Sequence, residues 1–177
     1  MKQMTEQNLI NAFGGESQAH MRYLHFANQA DKEKFPNVAR LFRAVAHAEY
    51  VHAGDHYREL RHLNGGVVAN SMAAFGPGDT KKNLGLAIAG EDFKITEMYP
   101  TYIEVAKFQG EKGHHLVLDA NVGEGAAHHD LMIAAARAVL VEILRSNLVI
   151  AQVLAGRACF LDRSRWRDVV GGDRVEE

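Results

Sequence analysis

Apolar positions recur every three or four residues through most of this chain, and the recurrence breaks at only a few places. From residue 5 to about 32 the stripe reads Leu9, Ala12, Glu16, Ala19, Tyr23, Phe26 and Ala30, which predicts a first helix with Thr5 as its N-cap. Phe35-Pro36 closes the turn, and Pro36 suits the first position of a second helix running to about residue 64, where Asn64-Gly65-Gly66 stops it. Residues 65–79 contain Gly65-Gly66 and Gly76-Pro77-Gly78 and predict one long connection, an accepted crossover within a four-helix bundle. A third helix begins at Asp79 or Thr80 and runs past Glu91, with a kink expected near residues 97–99 because Pro100 lies inside the pattern. The polar run 107–113 predicts the next turn. Residues 131–161 are rich in Ala, Leu, Val and Ile but are interrupted by Arg137, Glu142 and Arg145, so they read as a buried or partner-facing helix rather than a membrane span. Together these elements predict an all-α antiparallel four-helix bundle over 1–130, an apolar helical extension over 131–161 and a polar tail over 162–177.

Several residues on the apolar stripes are not apolar. Glu49 and His52 form a Glu-x-x-His pair, and Val45, Glu49, His52 and His56 share one helical face. A carboxylate placed in such a seam costs several kcal/mol unless a positive charge meets it. Glu16 stands on the stripe of the first helix behind Gly14-Gly15, glycines that cost about 1 kcal/mol each in a helix and imply close helix packing or a locally adjusted backbone beside Glu16. Gly90-Glu91 repeats Gly15-Glu16, and the interval from Glu16 to Glu49 equals that from Glu91 to Glu124. The second half is not a clean copy. Its histidine, His128, follows Glu124 at a spacing of four, and Gly123 and Gly125 weaken the helix between them. Glutamates from separate helices with Glu-x-x-His partners are the pattern of a di-iron carboxylate bundle.

The composition narrows the reading. With 177 residues the chain predicts one domain, or one with an appendage, and nothing in it reads as a signal peptide. The net charge of -2 is dispersed, which leaves no basic stripe for nucleic acid. The sole cysteine, Cys159, excludes an internal disulfide and any Cys-x-x-Cys metal knuckle, and the expected compartment is a reducing cytoplasm.

Residues 9 to about 113 resemble the ferritin-like domain of the rubrerythrins. The carrying motifs are Gly14-Gly15-Glu16-Ser17-Gln18-Ala19-His20-Met21-Arg22-Tyr23, then Ala48-Glu49-Tyr50-Val51-His52-Ala53, then Glu91 with Thr96-Glu97-Met98-Tyr99-Pro100. Ala120-Asn121 also looks like the family. The resemblance implies a non-haem centre of two iron ions, reduction of hydrogen peroxide (or reaction with dioxygen) in oxidative-stress defence, and a homodimer in which helices are exchanged. Carried over residue by residue, it implies Glu16, Glu49, His52, Glu91 and Glu124 as metal ligands, with His128 one residue out of register. Electrons are expected from an external donor such as rubredoxin or a reductase, in an NADH-linked or otherwise donor-dependent peroxidase, because no rubredoxin domain is recognisable. No nucleic acid or membrane partner is expected.

Mixed carboxylate and imidazole ligands suit iron, with manganese or zinc as alternatives. Tyr23 and Tyr99 are candidates for hydrogen bonding to a bound oxygen species, or for core rings with satisfied hydroxyls. One departure from the family bears directly on the chemistry: where a further glutamate is usual, this chain has Lys94, three residues after Glu91 and on its face. Beside two cations an ammonium must lose its proton or turn away; otherwise it pairs with the glutamates and replaces an ion. Weaker or asymmetric metal occupancy is therefore expected. Three functions follow: a donor-fed peroxidase, an iron-binding or ferroxidase-type protein of the same fold, and a non-catalytic bundle with a decayed site. The histidines His114, His115, His128 and His129 are otherwise expected to be mostly surface groups that could hold adventitious zinc.

Overall fold

A computed structural model describes the backbone of residues 1–76 and 78–169; the side chains of residues 112, 113, 115–117 and 146–169 lie outside the description. Helix is the regular secondary structure of the described residues: α1 (Gln3–Lys32), α2 (Pro36–Glu59), α3 (Thr80–Phe93), a π-helical segment (Lys94–Met98), α4 (Tyr99–Phe108) and α5 (Lys112–Val169). With α3, the π segment and α4 running on as one rod, the bundle has four helices in the antiparallel arrangement of ferritin-like proteins, joined by a long crossover between the second and third. The chain divides into two compact units after Arg137. The first holds the residues of the site described below; of the expected polar tail over 162–177, the backbone is described to residue 169 and the side chains, Arg163, Arg165, Trp166 and Arg167 among them, lie outside the described residues.

Local chemistry sets the helix ends, sometimes differently from the sequence expectation. Thr5 is not the N-cap of α1, which begins at Gln3. Its hydroxyl and its backbone N–H both donate to Gln109 Oε1, at 2.7 and 2.9 Å, so this buried residue ties α1 to the turn between α4 and α5. The C-terminus of α2 comes at Glu59 rather than near residue 64, because the chain tightens there: the Leu60 N–H is shared between His56 O and Tyr57 O, and Leu60 folds into the core. Pro36 opens α2 as expected, and Asp79 caps α3 by accepting from the Lys82 N–H at 2.7 Å. Before Pro100 a π-helical segment takes the place of the simple kink. Proline has no N–H to give, and the widened turn lets the Tyr99 N–H reach back to Lys94 O.

Glycines mark the close approaches. A Cβ on Gly14 would come within 3.0 Å of Ala69 Cβ and 3.1 Å of Ser71 Oγ, so the crossover lies directly on α1. Asn11 and Gln7 hold it there, Asn11 Oδ1 accepting from the Asn70 N–H at 2.9 Å and Gln7 Nε2 donating to Val68 O at 3.1 Å. A Cβ on buried Gly125 would come within 3.0 Å of Ile95 and 3.6 Å of Glu91 Oε2, so α5 packs against the third rod beside Glu91. Apolar contact closes both ends of the polar interior. Tyr23, Phe26 and Phe42 meet at tilted and edge-on angles at one end, and Leu9, Ile103 and Leu118 pack with Tyr99 at the other.

Candidate metal centre

Glu16 from α1, Glu49 from α2 and Glu91 from α3 converge in the interior, each 1% exposed or less. Burying three carboxylates together is intolerable without compensation, and the compensation is visible. Lys94, 11% exposed, projects into their midst. Its Nζ lies 3.2 Å from Glu16 Oε2, 3.1 and 3.2 Å from the two Glu49 oxygens, and 2.8 Å from Glu91 Oε2. Of the outcomes open to an ammonium at this position, the structure shows pairing with the glutamates. Burial alone would lower the lysine pKa, but Glu16, Glu49 and Glu91 outweigh it and hold the group firmly protonated.

Two tyrosines complete the carboxylate shell. Tyr23 Oη donates to Glu91 Oε1 at 2.7 Å, and Tyr99 Oη donates to Glu16 Oε1. Both rings are buried, so burial first and then the neighbouring carboxylates push their phenols well above the usual value. They are donors that orient ligand-type oxygens.

The histidines approach from the α2 and α5 side. His52 Nδ1 lies 3.6 Å from Glu49 Oε2, while its Nε2 pairs at 2.6 Å with Glu124 Oε2. His128 stacks on His52 with ring centroids 5.9 Å apart and points Nδ1 at Glu49 Oε1 from 3.6 Å. The spacing of four therefore brings His128 into the cluster, despite its shift in register. Glu124 does not enter it. Its side chain is 60% exposed and meets the outer edge of His52. Two sets of donor atoms are close enough to grip an ion: Glu16, Glu49 and His52, and Glu49, Glu91 and His128. Of the other histidines, His114 pairs with Glu59 at 2.8 Å and His129 lies 3.5 Å from Asp130, while the His115 side chain lies outside the described residues.

The electrostatics follow the positions. Burial pushes Glu16 up to about 8, only partly opposed by Lys94. Burial would raise Glu49 too, but Lys94 and bonds from Glu16, His128 and His52 hold it well below the usual carboxylate range. For His52, burial is outweighed by its bonds to Glu49 and Glu124, and the ring rises to about 9.

His56 and Asn121 escaped the sequence reading as members of the site. Fully buried His56 drops to about 4 through burial and the nearby positive charges of His52 and Lys94. Asn121 Nδ2 and Tyr99 Oη each lie 3.2 Å from its Nε2, so the neutral ring packs behind the tyrosine that holds Glu16. The signal was the continued helical face from His52 to His56.

The donor set can be tested against a pair of ions. In the Glu49, Glu91 and His128 set, buried His128 Nδ1 has no hydrogen-bond partner and faces Glu49 Oε1 from 3.6 Å, as suits a metal-ligating imidazole, whereas Glu91 Oε2 is paired with Lys94 at 2.8 Å. Both carboxylate oxygens are engaged at Glu16, by Lys94 and Tyr99, and likewise at Glu91, by Lys94 and Tyr23, and His52 is turned to Glu124, so an ion entering either set must displace the ammonium. A cavity of about 340 Å³ reaches the cluster at Tyr23 and Lys94, between α1, the crossover and α3, with Ala19, Leu86, Gly90 and Phe93 in its wall.

Residues 7–135 match the rubrerythrin family model. The chain is 44% identical over 111 residues to Rubrerythrin-2 of Clostridium acetobutylicum, covering 62% of this chain and 59% of that protein. It is 33% identical over 132 residues to nigerythrin of Nitratidesulfovibrio vulgaris, covering 74% of this chain and 65% of that one. It thus spans about six-tenths of the length of these curated relatives. The fully reduced, all-ferrous structure of nigerythrin superposes with a TM-score of 0.71 at 29% identity, over 78% of this chain and 69% of that one. Symerythrin from Cyanophora paradoxa, at 17% identity and a TM-score of 0.68, shares the fold. No helix among the described residues is long and apolar enough to cross a membrane. On the breadth of the family match, with carboxylates and imidazoles meeting inside a ferritin-like bundle, this chain belongs to the rubrerythrin family of di-iron proteins.

Proposed function

We propose that the chain is a non-haem iron oxidoreductase that reduces hydrogen peroxide to water with electrons from an external donor, as a cytoplasmic homodimer. The observation that carries this reading is the convergence of Glu16, Glu49, Glu91, His52 and His128 from different helices into two overlapping sets of donor atoms. Glu124 is proposed as a sixth ligand that swings inward from its place on His52 when metal binds. Iron held here would supply electrons one at a time between its ferrous and ferric forms; manganese and zinc are the competing metals. The protein's own part is derived from its side chains. Tyr23 and Tyr99 fix the carboxylates of Glu91 and Glu16, and neutral His56 packs beside Tyr99 with Nε2 3.2 Å from its hydroxyl. The apolar walls near Tyr23 leave room for peroxide while limiting bulk water. Reduction takes up two electrons and two protons per peroxide and yields two waters, and the electrons come from outside because a rubredoxin or a reductase is the proposed partner.

One observation favours a second reading. The Lys94 ammonium lies within 3.2 Å of all three buried glutamates, which is what a bundle with a decayed metal site would show. Anaerobic loading with ferrous iron, followed by peroxide consumption with reduced rubredoxin as the donor, separates the two. The expected result is peroxide loss coupled to oxidation of two one-electron donors per molecule, falling at least tenfold in Glu49→Ala. Equal consumption by the parent chain and Glu49→Ala would leave the decayed-site reading standing.

A further inference from the structure

We propose that the cavity between α1, the crossover and α3 binds a small organic acid that has an apolar body and a hydroxyl beside its carboxylate. The inference goes beyond the reading of the cluster as a metal site and needs no ion there. It rests on a charge without a partner, on two orphaned polar atoms, and on the space that they face.

The charge is that of Arg22. Among the described residues its guanidinium makes no ion pair, whereas Arg43 and Arg58 pair with Asp31 and Asp55. Arg40 and Arg61 also lack an acidic partner, but they are exposed, where water and salt screen them. Arg22 is only partly exposed, and its Nε is buried without a hydrogen-bond partner. Two neighbours fix its place: the guanidinium carbon lies 5.8 Å from the centre of the Tyr23 ring, and a Cβ on Gly90 would come within 3.9 Å of Nη2. A planar guanidinium in such a wall is matched by a carboxylate. Lys94, the other cation lining the cavity, cannot serve, because Glu16, Glu49 and Glu91 already take its charge.

One turn earlier on α1, Gln18 Nε2 donates to Met72 O at 3.3 Å and so ties the side chain to the crossover, while its Oε1 is buried with no partner. Buried polar atoms are seldom left in this state. Gln18 and Arg22 line the same cavity, the first with an acceptor to fill and the second with donors. A 2-hydroxy carboxylate satisfies both at once, its carboxylate accepting from Arg22 and its hydroxyl donating to Gln18 Oε1. Ala19, Leu86, Phe93 and Met98 make the opposing wall apolar. The volume of about 340 Å³ is more than twice the roughly 150 Å³ that takes up a benzene ring, so one ring or a short chain fits together with the head group.

Calorimetric titration of the metal-free protein with 3-phenyllactate tests this without any assay of turnover. The expected result is a single class of site with a Kd below about 1 mM. Lactate keeps the head group without the ring, and 3-phenylpropane-1,2-diol keeps the ring without the charge; each should bind at least about tenfold more weakly. 3-Phenylpropanoate, which lacks only the hydroxyl, should bind about threefold to tenfold more weakly, and Gln18→Leu should erase that difference. Arg22→Leu should weaken 3-phenyllactate at least about tenfold. If Arg22→Leu does not fold, as judged by helical circular dichroism, Arg22→Lys keeps the charge without the planar fork and should still weaken binding about threefold. Nuclear Overhauser contacts from the ligand ring to the methyls of Ala19, Leu86 and Met98 should place it in the cavity. Absence of binding, or equal binding of the diol or of lactate, would overturn the proposal. Equal binding of 3-phenylpropanoate would strike the hydroxyl from the ligand class. Full affinity in the Arg22 variants, or ring contacts elsewhere, would overturn the assigned site, and none of these results would bear on whether the cluster holds metal.

Discussion

Each ionisable side chain in the interior is held by a partner that fixes its role. Tyr99 shows how tightly these roles interlock: its hydroxyl donates to Glu16, lies 3.2 Å from His56 Nε2, and is buried with both. Removing that oxygen strands a buried carboxylate oxygen and leaves His56 with Asn121 alone. Tyr99→Phe should cost about 1–3 kcal/mol, the usual penalty for an unsatisfied buried polar group. Half-buried Tyr102 serves as the control, and Tyr102→Phe should cost under about 1 kcal/mol. Urea unfolding at constant slope reads both; equal losses would mean that the Tyr99 hydroxyl is energetically idle. The sequence made Tyr23, Tyr99 and the buried glutamates legible because each interrupts an apolar stripe with a group that needs a partner. It could not show that Glu124 faces outward. That choice depends on how α5 is rotated against α2, and a helical pattern containing both Glu124 and His128 fits either rotation.

At the level of elements, the turns were the most legible part of the chain. Phe35-Pro36, Asp79-Thr80 and the polar run before α5 all mark real boundaries, since their cues are local: a fixed φ, a capping carboxylate, a glycine at positive φ such as Gly110. Boundaries set by tertiary contact were not legible. Thr5 has the chemistry of a cap but spends it on Gln109, and α2 stops early because Leu60 is needed in the core. The π-helical segment is also hidden in sequence, since proline announces a missing N–H without saying how the backbone will absorb it. Gly14-Gly15 signalled an approach without naming its partner: the expected neighbour was a helix, and the structure puts the non-helical crossover against Gly14. Gly14→Leu should therefore lift residues 68–72 off α1, because even a Cβ there would press on Ala69 and Ser71. The expected outcome is faster cleavage in residues 66–76 under limited proteolysis with helix content retained; an unchanged rate would show that the crossover is held by the Asn11 and Gln7 bonds alone.

For the molecule as a whole, the buried cluster makes stability depend on pH in a direction that reverses when a cation binds. Glu16 titrates near 8 in the fold against 4.5 unfolded, and His52 near 9 against 6.5. In each case the folded state keeps a proton that the unfolded chain has released, so the stability they confer is present at low pH and lost as pH rises through the folded value. His56 runs the other way. Near 4 in the fold, it confers stability above 6.5 that is lost as pH falls. Between about 4.5 and 6.5 the Glu16 and His56 contributions offset each other, whereas above 6.5 Glu16 and His52 act in the same sense. Metal-free protein should accordingly lose on the order of 2–4 kcal/mol between pH 6.5 and 9, discounted for the coupling among these groups. That corresponds to a fall of roughly 5–15 °C in the unfolding midpoint. A divalent ion competes with protons for the same carboxylates and imidazoles, so its stabilisation grows as pH rises. Thermal unfolding in chelator at pH 6.5 and 9, repeated with excess manganese(II), should show a midpoint that drops without the ion and a gap between the two conditions that widens at the higher pH. A metal-free midpoint that climbs over this interval would mean that the buried protons assigned to Glu16 and His52 are not there.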